Sequence, residues 1–132
     1  MRQITKDIEI TVDGSATGFR LFKLDAFSGV MLLRLLMRLE NQNASPTMLN
    51  LIASLSEDEL RSVMTSVFNH ISVLLPAGPH PVMTGSEWGY PELEHDTPTC
   101  MKLLLEGIAW SLSGFFGGGQ LKGETAPADT VP

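Results

Sequence analysis

Positive charge is scarce in this sequence. The 132 residues include 9 lysines and arginines against 15 aspartates and glutamates, which gives a formal net charge of −6. Nucleic-acid-binding proteins gain much of their affinity by neutralising phosphates with clustered basic side chains, and the sequence has no such cluster. The same shortage argues against binding to an anionic membrane surface. We therefore expect neither nucleic acid nor a membrane as a partner.

Cysteine and long apolar runs are also scarce. Cys100 is the single cysteine, so it cannot form a disulfide within the chain, which fits a reducing cytoplasm. The first ten residues mix charged and apolar side chains and lack the apolar core of a signal peptide. The longest apolar-rich segment, Val30 to Leu39, is interrupted by Arg34 and Arg38. It is far shorter than the roughly 20 residues needed to cross a bilayer, so we expect a cytosolic protein.

Recognisable catalytic and metal-binding motifs are missing as well. No CxxC or HExxH pattern occurs, and the triple-glycine run at 117–119 follows a helical pattern instead of joining a strand to a helix. The one acidic cluster is Glu92, Glu94 and Asp96 around His95. It would suit a cation site or an acid–base pair, or an exposed loop before a helix whose dipole favours negative charge. We expect the exposed loop, with no metal, no cofactor and no enzymatic activity.

The residues that are abundant suit one small globular domain. Hydrophobic residues make up 43% and charged residues 18% of the chain, which are typical globular values. The mean hydropathy of +0.11 is high for this size and predicts that some apolar surface is left for a partner. We expect a single domain over residues 1–116 and a flexible, glycine-rich tail over residues 117–132.

The N-terminal pattern predicts a β-hairpin. Apolar residues alternate with polar ones up to Val12, Asp13-Gly14 is a typical tight-turn pair, and a second alternating segment follows. This hairpin is expected to span about residues 3–24. Because two strands alone are marginally stable, we expect them to pack on the helices that follow.

Four later segments carry the helical spacing of apolar residues. The expected fold is therefore α+β, mainly α, with the hairpin packed on a bundle of about four helices. The proline-rich segment 76–97 is expected to be an irregular loop, with a short hairpin around residues 82–90 as an alternative. The expected helix starts are Asp25 or Ser28, Ser45-Pro46, Ser56 and Thr97-Pro98. The expected helices span about residues 26–40, 46–55, 57–75 and 98–114.

The first predicted helix is apolar nearly all round. Arg34 and Arg38, one turn apart, form its only polar stripe. Such a helix is either buried on several sides or binds a partner on the side that the domain leaves open. The large apolar residues in the loop and on the last helix are likewise either buried or partner-binding. If they are buried, we expect Trp88 to pack on Trp110. The candidate partner-binding residues are Phe27, Met31, Arg34, Leu36, Arg38, Trp88, Trp110, Phe115 and Phe116.

Two segments stand out together. The leucine-rich segment FRLFKLDAFSGVMLLRLL spans residues 19–36, and the segment MKLLLEGIAW at residues 101–110 leads to the pair Phe115-Phe116. In this arrangement, over about residues 15–117, the chain resembles tail assembly chaperones of long-tailed bacteriophages. Family members usually have an asparagine and an acidic residue shortly before the phenylalanine pair, whereas this chain has Ser-Leu-Ser-Gly at 111–114.

The resemblance implies a function in virion assembly. Such chaperones bind the long, apolar, helical tape measure protein in the host cytoplasm, keep it soluble and help tail tube subunits to gather around it. They are absent from the mature virion, and many are also made in a longer form by ribosomal frameshifting. The apolar excess is compatible with self-association too. The alternatives are another phage or bacterial adaptor, of head–tail or secretion type, and an enzyme that uses His95 and the acidic loop.

Overall fold

The chain opens with an antiparallel β-hairpin in the computed structural model, which describes residues 3–42 and 47–113. Strands β1 (Thr5–Val12) and β2 (Ser15–Phe22) pair along their whole length. The turn residues Asp13 and Gly14 have φ values of 54° and 83°. A two-residue turn with two positive φ values matches the right-handed twist of paired strands. The predicted hairpin is confirmed.

A segment whose sequence predicts a helix extends this hairpin into a four-stranded sheet. Strand β3 (Ile71–Leu75) pairs antiparallel with β2, and β4 (Gly78–Pro81) pairs antiparallel with β3, so the strand order is β1-β2-β3-β4. The prediction of one helix over residues 57–75 is therefore wrong beyond Phe68. The reason is that the apolar residues of ISVLL fit strand alternation as well as they continue the preceding helical spacing.

Helix α3 (Glu57–Phe68) ends at an asparagine that links it to a later turn. The Asn69 side-chain amide donates hydrogen bonds to the carbonyl oxygens of Thr65 (2.6 Å) and Gly85 (2.8 Å). Its Oδ1 accepts a hydrogen bond from the Gly85 N–H at 2.8 Å. This double contact stops the helix and fixes the distance between α3 and the segment after the sheet.

The segment 76–97 consists of short regular elements instead of one irregular loop. After β4 come the paired strands β5 (Met83–Thr84) and β6 (Glu87–Trp88), so the alternative of a short hairpin here is confirmed. A 3₁₀ turn, Pro91–Leu93, follows. The Val82 N–H donates to the Ile71 carbonyl at 2.9 Å, which ties this segment to the main sheet.

The helices begin at capping residues. Besides α3, they are α1 (Ala26–Asn41), α2 (Met48–Ala53) and α4 (Thr97–Ser111). Ser56 forms a capping box with Glu59 at the start of α3, and the Asp25 carboxylate accepts a hydrogen bond from the Ser28 N–H at 3.1 Å at the start of α1. The predicted start Ser45-Pro46 lies outside the described residues, and α2 begins after Thr47. The predicted end of the last helix at 114 and the tail also lie outside them.

Helix α4 is central to the core. It contacts β1, β2, α3 and the 3₁₀ turn, and Leu103, Leu104 and Ile108 are fully buried. Gly107, on the same face of α4 as Leu103, is buried as well. The protein thus has the expected α+β fold, with the hairpin enlarged to a four-stranded sheet. Within the described residues, no helix has both the length and the apolar character that crossing a membrane requires.

Gly107→Ala is expected to destabilise the fold. A Cβ atom added at Gly107 would lie 2.5 Å from Val67 Cγ1, so α3 and α4 would have to move apart at a cost of about 1–3 kcal/mol. Urea denaturation measures the change in the free energy of unfolding. Gly29→Ala in α1 is the matched control, because a Cβ there meets nothing within 4 Å and should raise stability by about 0.5–1 kcal/mol. Equal effects of the two changes would contradict the close crossing.

Candidate partner-binding groove

Helix α1 exposes much of its apolar surface. Its inner face is formed by Leu32, Leu36 and Leu39, which are buried. On the opposite face, Phe27 is 80% exposed, and Met31 is 52% exposed. Four of the seven exposed large hydrophobic residues in the described part of the chain belong to this one helix. The four are Phe27, Val30, Met31 and Met37.

A groove of about 480 Å³ separates α1 from α3. Each helix lines it with two neighbouring rows of residues spaced four apart, which is the spacing that places side chains one above the other on a helix. The α1 wall is mostly apolar, whereas the α3 wall combines two valines with serines and carboxylates. The lining residues are Leu24, Phe27, Ser28, Met31, Leu32 and Leu35 on the α1 side and Asp58, Glu59, Ser62, Val63, Ser66 and Val67 on the α3 side.

Side-chain contacts link the two walls at both ends of the groove. At one end, Arg38 of α1 donates to a Glu59 carboxylate oxygen at 2.5 Å. At the other, His70 Nε2, just beyond α3, lies 3.7 Å from Asp25 Oδ1. Since the C-terminal part of α1 meets the N-terminal part of α3, the helices run antiparallel.

Hydrogen bonds keep the carboxylates at these ends ionised. The Ser56 N–H donates to Glu59 at 2.9 Å, and this backbone hydrogen bond, followed by the bond from Arg38, lowers the pKa of Glu59. The backbone hydrogen bond from Ser28 likewise lowers the pKa of Asp25. Hydrogen bonds that favour the charged form act in this direction. Both carboxylates are therefore ionised near neutral pH, and the Glu59 charge is paired with Arg38.

The predicted partner-binding residues occupy different positions relative to this groove. Phe27 and Met31 line it, and Arg34 is exposed on the same side of α1 and forms no ion pair with the described residues. Leu36 is only 2% exposed, so its side chain is not available to a partner and that part of the prediction is wrong. Arg38 forms the ion pair with Glu59 that links α1 to α3. Phe115 and Phe116 lie outside the described residues.

The two tryptophans pack against the domain away from the groove. The Trp88 ring lies on Phe68, with ring centroids 5.7 Å apart. The Trp110 ring lies 4.7 Å from Lys23 Nζ, and its Nε1–H donates to the Ile4 carbonyl at 3.3 Å. The predicted packing of Trp88 on Trp110 is not among the ring contacts of the described residues. Both side chains join elements of the fold.

One member of the acidic cluster before α4, Asp96, has a structural role. The Asp96 carboxylate accepts hydrogen bonds from the Thr99 N–H at 3.2 Å and from the Thr99 hydroxyl at 2.7 Å, and so it caps α4. Cys100 is buried, and its Sγ–H donates to the Leu93 carbonyl at 3.1 Å; burial raises the pKa of this thiol. In the described ranges, no three His, Cys, Asp or Glu side chains are grouped so as to hold a metal ion.

The comparisons with known proteins add no relative. The chain matches no protein-family model, no curated protein and no solved structure. The groove itself is therefore the starting point for a functional proposal. The sequence patterns did not predict that α3 would form one wall of the groove. The four-residue spacing of Asp58, Ser62 and Ser66 could have indicated it, because it places short polar side chains on one face of the helix.

Glu59 should contribute to stability only while it is ionised. Its folded-state pKa lies below the ordinary value of 4.5, so its contribution is fully present above about pH 4.5 and is lost as the pH falls through the lowered pKa. We expect the free energy of unfolding to fall more steeply below this pH in the wild type than in Glu59→Gln. Urea denaturation between pH 7 and pH 3 measures this difference.

Glu57→Gln is the control for this titration. Glu57 lies in the same helical turn, but its side chain is 85% exposed and does not line the groove. Its substitution should leave the pH dependence of stability close to that of the wild type. A difference between wild type and Glu59→Gln that stays constant from pH 7 to pH 3 would refute the role of the Glu59 charge.

Proposed function

We propose that this protein is a tail assembly chaperone of a long-tailed bacteriophage, which binds the tape measure protein in the host cytoplasm and keeps it soluble. The observation that carries the proposal is the groove between α1 and α3, with Phe27 and Met31 exposed along one wall. The resemblance of residues 19–36 and 101–110 to such chaperones supports it. Most of helix α1, which forms the apolar wall, lies in the first of these segments.

The groove has the properties that a helix-binding chaperone needs. A helical client presents a stripe of apolar side chains, and an apolar groove between two helices receives such a stripe. Because a client helix satisfies its own backbone hydrogen bonds, only its side chains have to leave water. The net charge of −6 favours solubility of the chaperone itself through repulsion between copies.

The proposal includes the later steps of tail assembly. The chaperone would help tail tube subunits to gather around the bound tape measure protein and would then be released, so that the mature virion does not contain it. Release is easier from a groove that covers one face of a client helix than from a core that encloses it. This fits a surface in which Met31 remains 52% exposed.

An adaptor of head–tail or secretion type is the second candidate. The groove would also bind a helical segment in such an assembly, because its geometry specifies a helix and not the protein that supplies it. Gene position separates the two proposals. The gene of a tail assembly chaperone lies directly before a very long tape measure gene, whereas an adaptor gene has other neighbours.

Co-expression with the tape measure protein of the same phage tests the main proposal. We expect the tape measure protein to move from the insoluble to the soluble fraction and to co-elute with the chaperone. Met31→Gln should reduce the co-eluting amount severalfold, because it places an amide on an apolar groove wall. The measurement is the ratio of the two proteins in the eluted complex.

Met37→Gln is the matched control for that variant. Met37 is 43% exposed on the same helix but is not among the residues that line the groove. It should leave the yield of the complex close to that of the wild type, and circular dichroism should show both variants folded. A tape measure protein that stays insoluble with the wild-type protein would refute the proposal that this protein is a tail assembly chaperone.

A further inference from the structure

We propose that the groove selects a single amphipathic α-helix with a basic flank, bound so that its basic side chains lie along α3. This inference rests on the proposed function for the identity of the client protein. The chemistry of the client follows from the groove alone. It adds a charge requirement and an orientation to the apolar contact described above.

The length of the groove sets the length of the client segment. The lining rows run from Phe27 to Leu35 and from Asp58 to Val67, which corresponds to roughly 12–14 Å at about 1.5 Å per residue. That distance is between two and three helical turns. The expected contact residues of the client are therefore apolar side chains at positions i, i+4 and i+7.

The walls favour a helix over an extended segment. Both walls are α-helices, whose backbone N–H and C=O groups are already bonded within the helix. An extended peptide binds best by adding a strand to an open sheet edge, which this groove does not offer. A helix brings no unpaired backbone groups into an apolar groove.

Charge makes the groove asymmetric across its width. On the α3 side, Asp58 is exposed and has no ion-pair partner among the described residues, whereas the Glu59 charge is already paired with Arg38. The N-terminal dipole of α3, equivalent to about +0.5 charge, offsets only part of the Asp58 charge. The Asp25 carboxylate lies near the other end, at the start of α1 and 3.7 Å from His70 Nε2.

On the α1 side, the charge beside Met31 is positive. Arg34 follows Met31 by three residues and is exposed. A client helix lying over Phe27 and Met31 would therefore meet the Asp58 carboxylate on one flank and the Arg34 guanidinium on the other. A helix with lysines on one flank and an acidic residue on the other satisfies both, and only one of its two chain directions along the groove does so.

Each charge contact lies at the rim, so its effect on affinity is moderate. Exposed ion pairs contribute little, and reversing one from attractive to repulsive changes affinity by about fivefold. The apolar contacts supply most of the binding energy, whereas the charges decide which helices bind and in which orientation. The test must therefore compare peptides with the same apolar face.

Two 18-residue alanine-rich helical peptides provide this comparison. Both carry leucines at i, i+4, i+7 and i+11, and one has lysines along a single flank where the other has glutamates. We expect the purified full-length protein to bind the lysine peptide about fivefold more tightly at low salt, by isothermal titration calorimetry or fluorescence anisotropy. Asp58→Lys should abolish or reverse this preference. Met31→Gln should weaken both peptides alike.

Glu57→Lys is the control for the charge reversal. Glu57 lies in the same helical turn as Asp58 and bears the same charge, but it does not line the groove. It should leave the peptide preference unchanged. Equal binding of the two peptides to the wild type, the same change of preference in both variants, no binding of either peptide, or a stable dimer that excludes them would each overturn the proposal.

The outcomes for function and for groove chemistry are distinguishable. If the peptides bind with the expected preference but the tape measure protein stays insoluble, the groove chemistry is right and the assignment to tail assembly is wrong. If the tape measure protein forms the complex equally well with Asp58→Lys and the peptides show no preference, the charge requirement is wrong and the assignment stands.

Discussion

The close crossing of α3 and α4 at Gly107 determines where the groove can form. Val67 packs against the backbone of α4 at this glycine and also lines the floor of the groove. Helix α3 is thus fixed from the core side, independently of α1. Helix α1 is held to the core by the buried Leu32, Leu36 and Leu39, and the ion pair between Arg38 and Glu59 links it to a wall that is already in place. A groove between two helices persists only when each wall is held by something other than the opposite wall.

The serines explain why the groove is not filled by the protein itself. Ser62 and Ser66 lie at facing positions on α3, where leucines would reach across and pack on Met31 and Leu35. Such packing would bury apolar area worth about 25 cal/mol per Å². With serines at these positions the fold lacks this stabilisation, and apolar side chains of α1 remain in contact with water. Open volume between two helices at this cost is typical of a surface that receives side chains from elsewhere.

Local signals made much of the fold predictable from the sequence. The turn residues Asp13-Gly14 and the helix start at Ser56 lie within a few residues of the structures that they specify, and both are found as expected. Strand β3 was beyond such reasoning, because its partner β2 is about 50 residues away and supplies the pairing that decides between helix and strand. For the groove, the apolar pattern of the first predicted helix placed Phe27 and Met31 among the candidates, together with Leu36, which is buried. The α3 wall was not predictable in this way, because the packing of the core decides which face of α3 remains exposed.

The balance of apolar surface and charge favours a different protein over a second copy in the groove. The exposed face of α1 combines Phe27 and Met31 with Arg34, so a second copy would offer part of the chemistry that the groove accepts. However, each copy carries a net charge of −6, and the repulsion between copies opposes a rim attraction of no more than about 1 kcal/mol. In addition, Arg38 of the second copy is already committed to its own Glu59. A client helix with several free lysines or arginines meets none of these penalties, and it would displace a second copy at equal apolar contact.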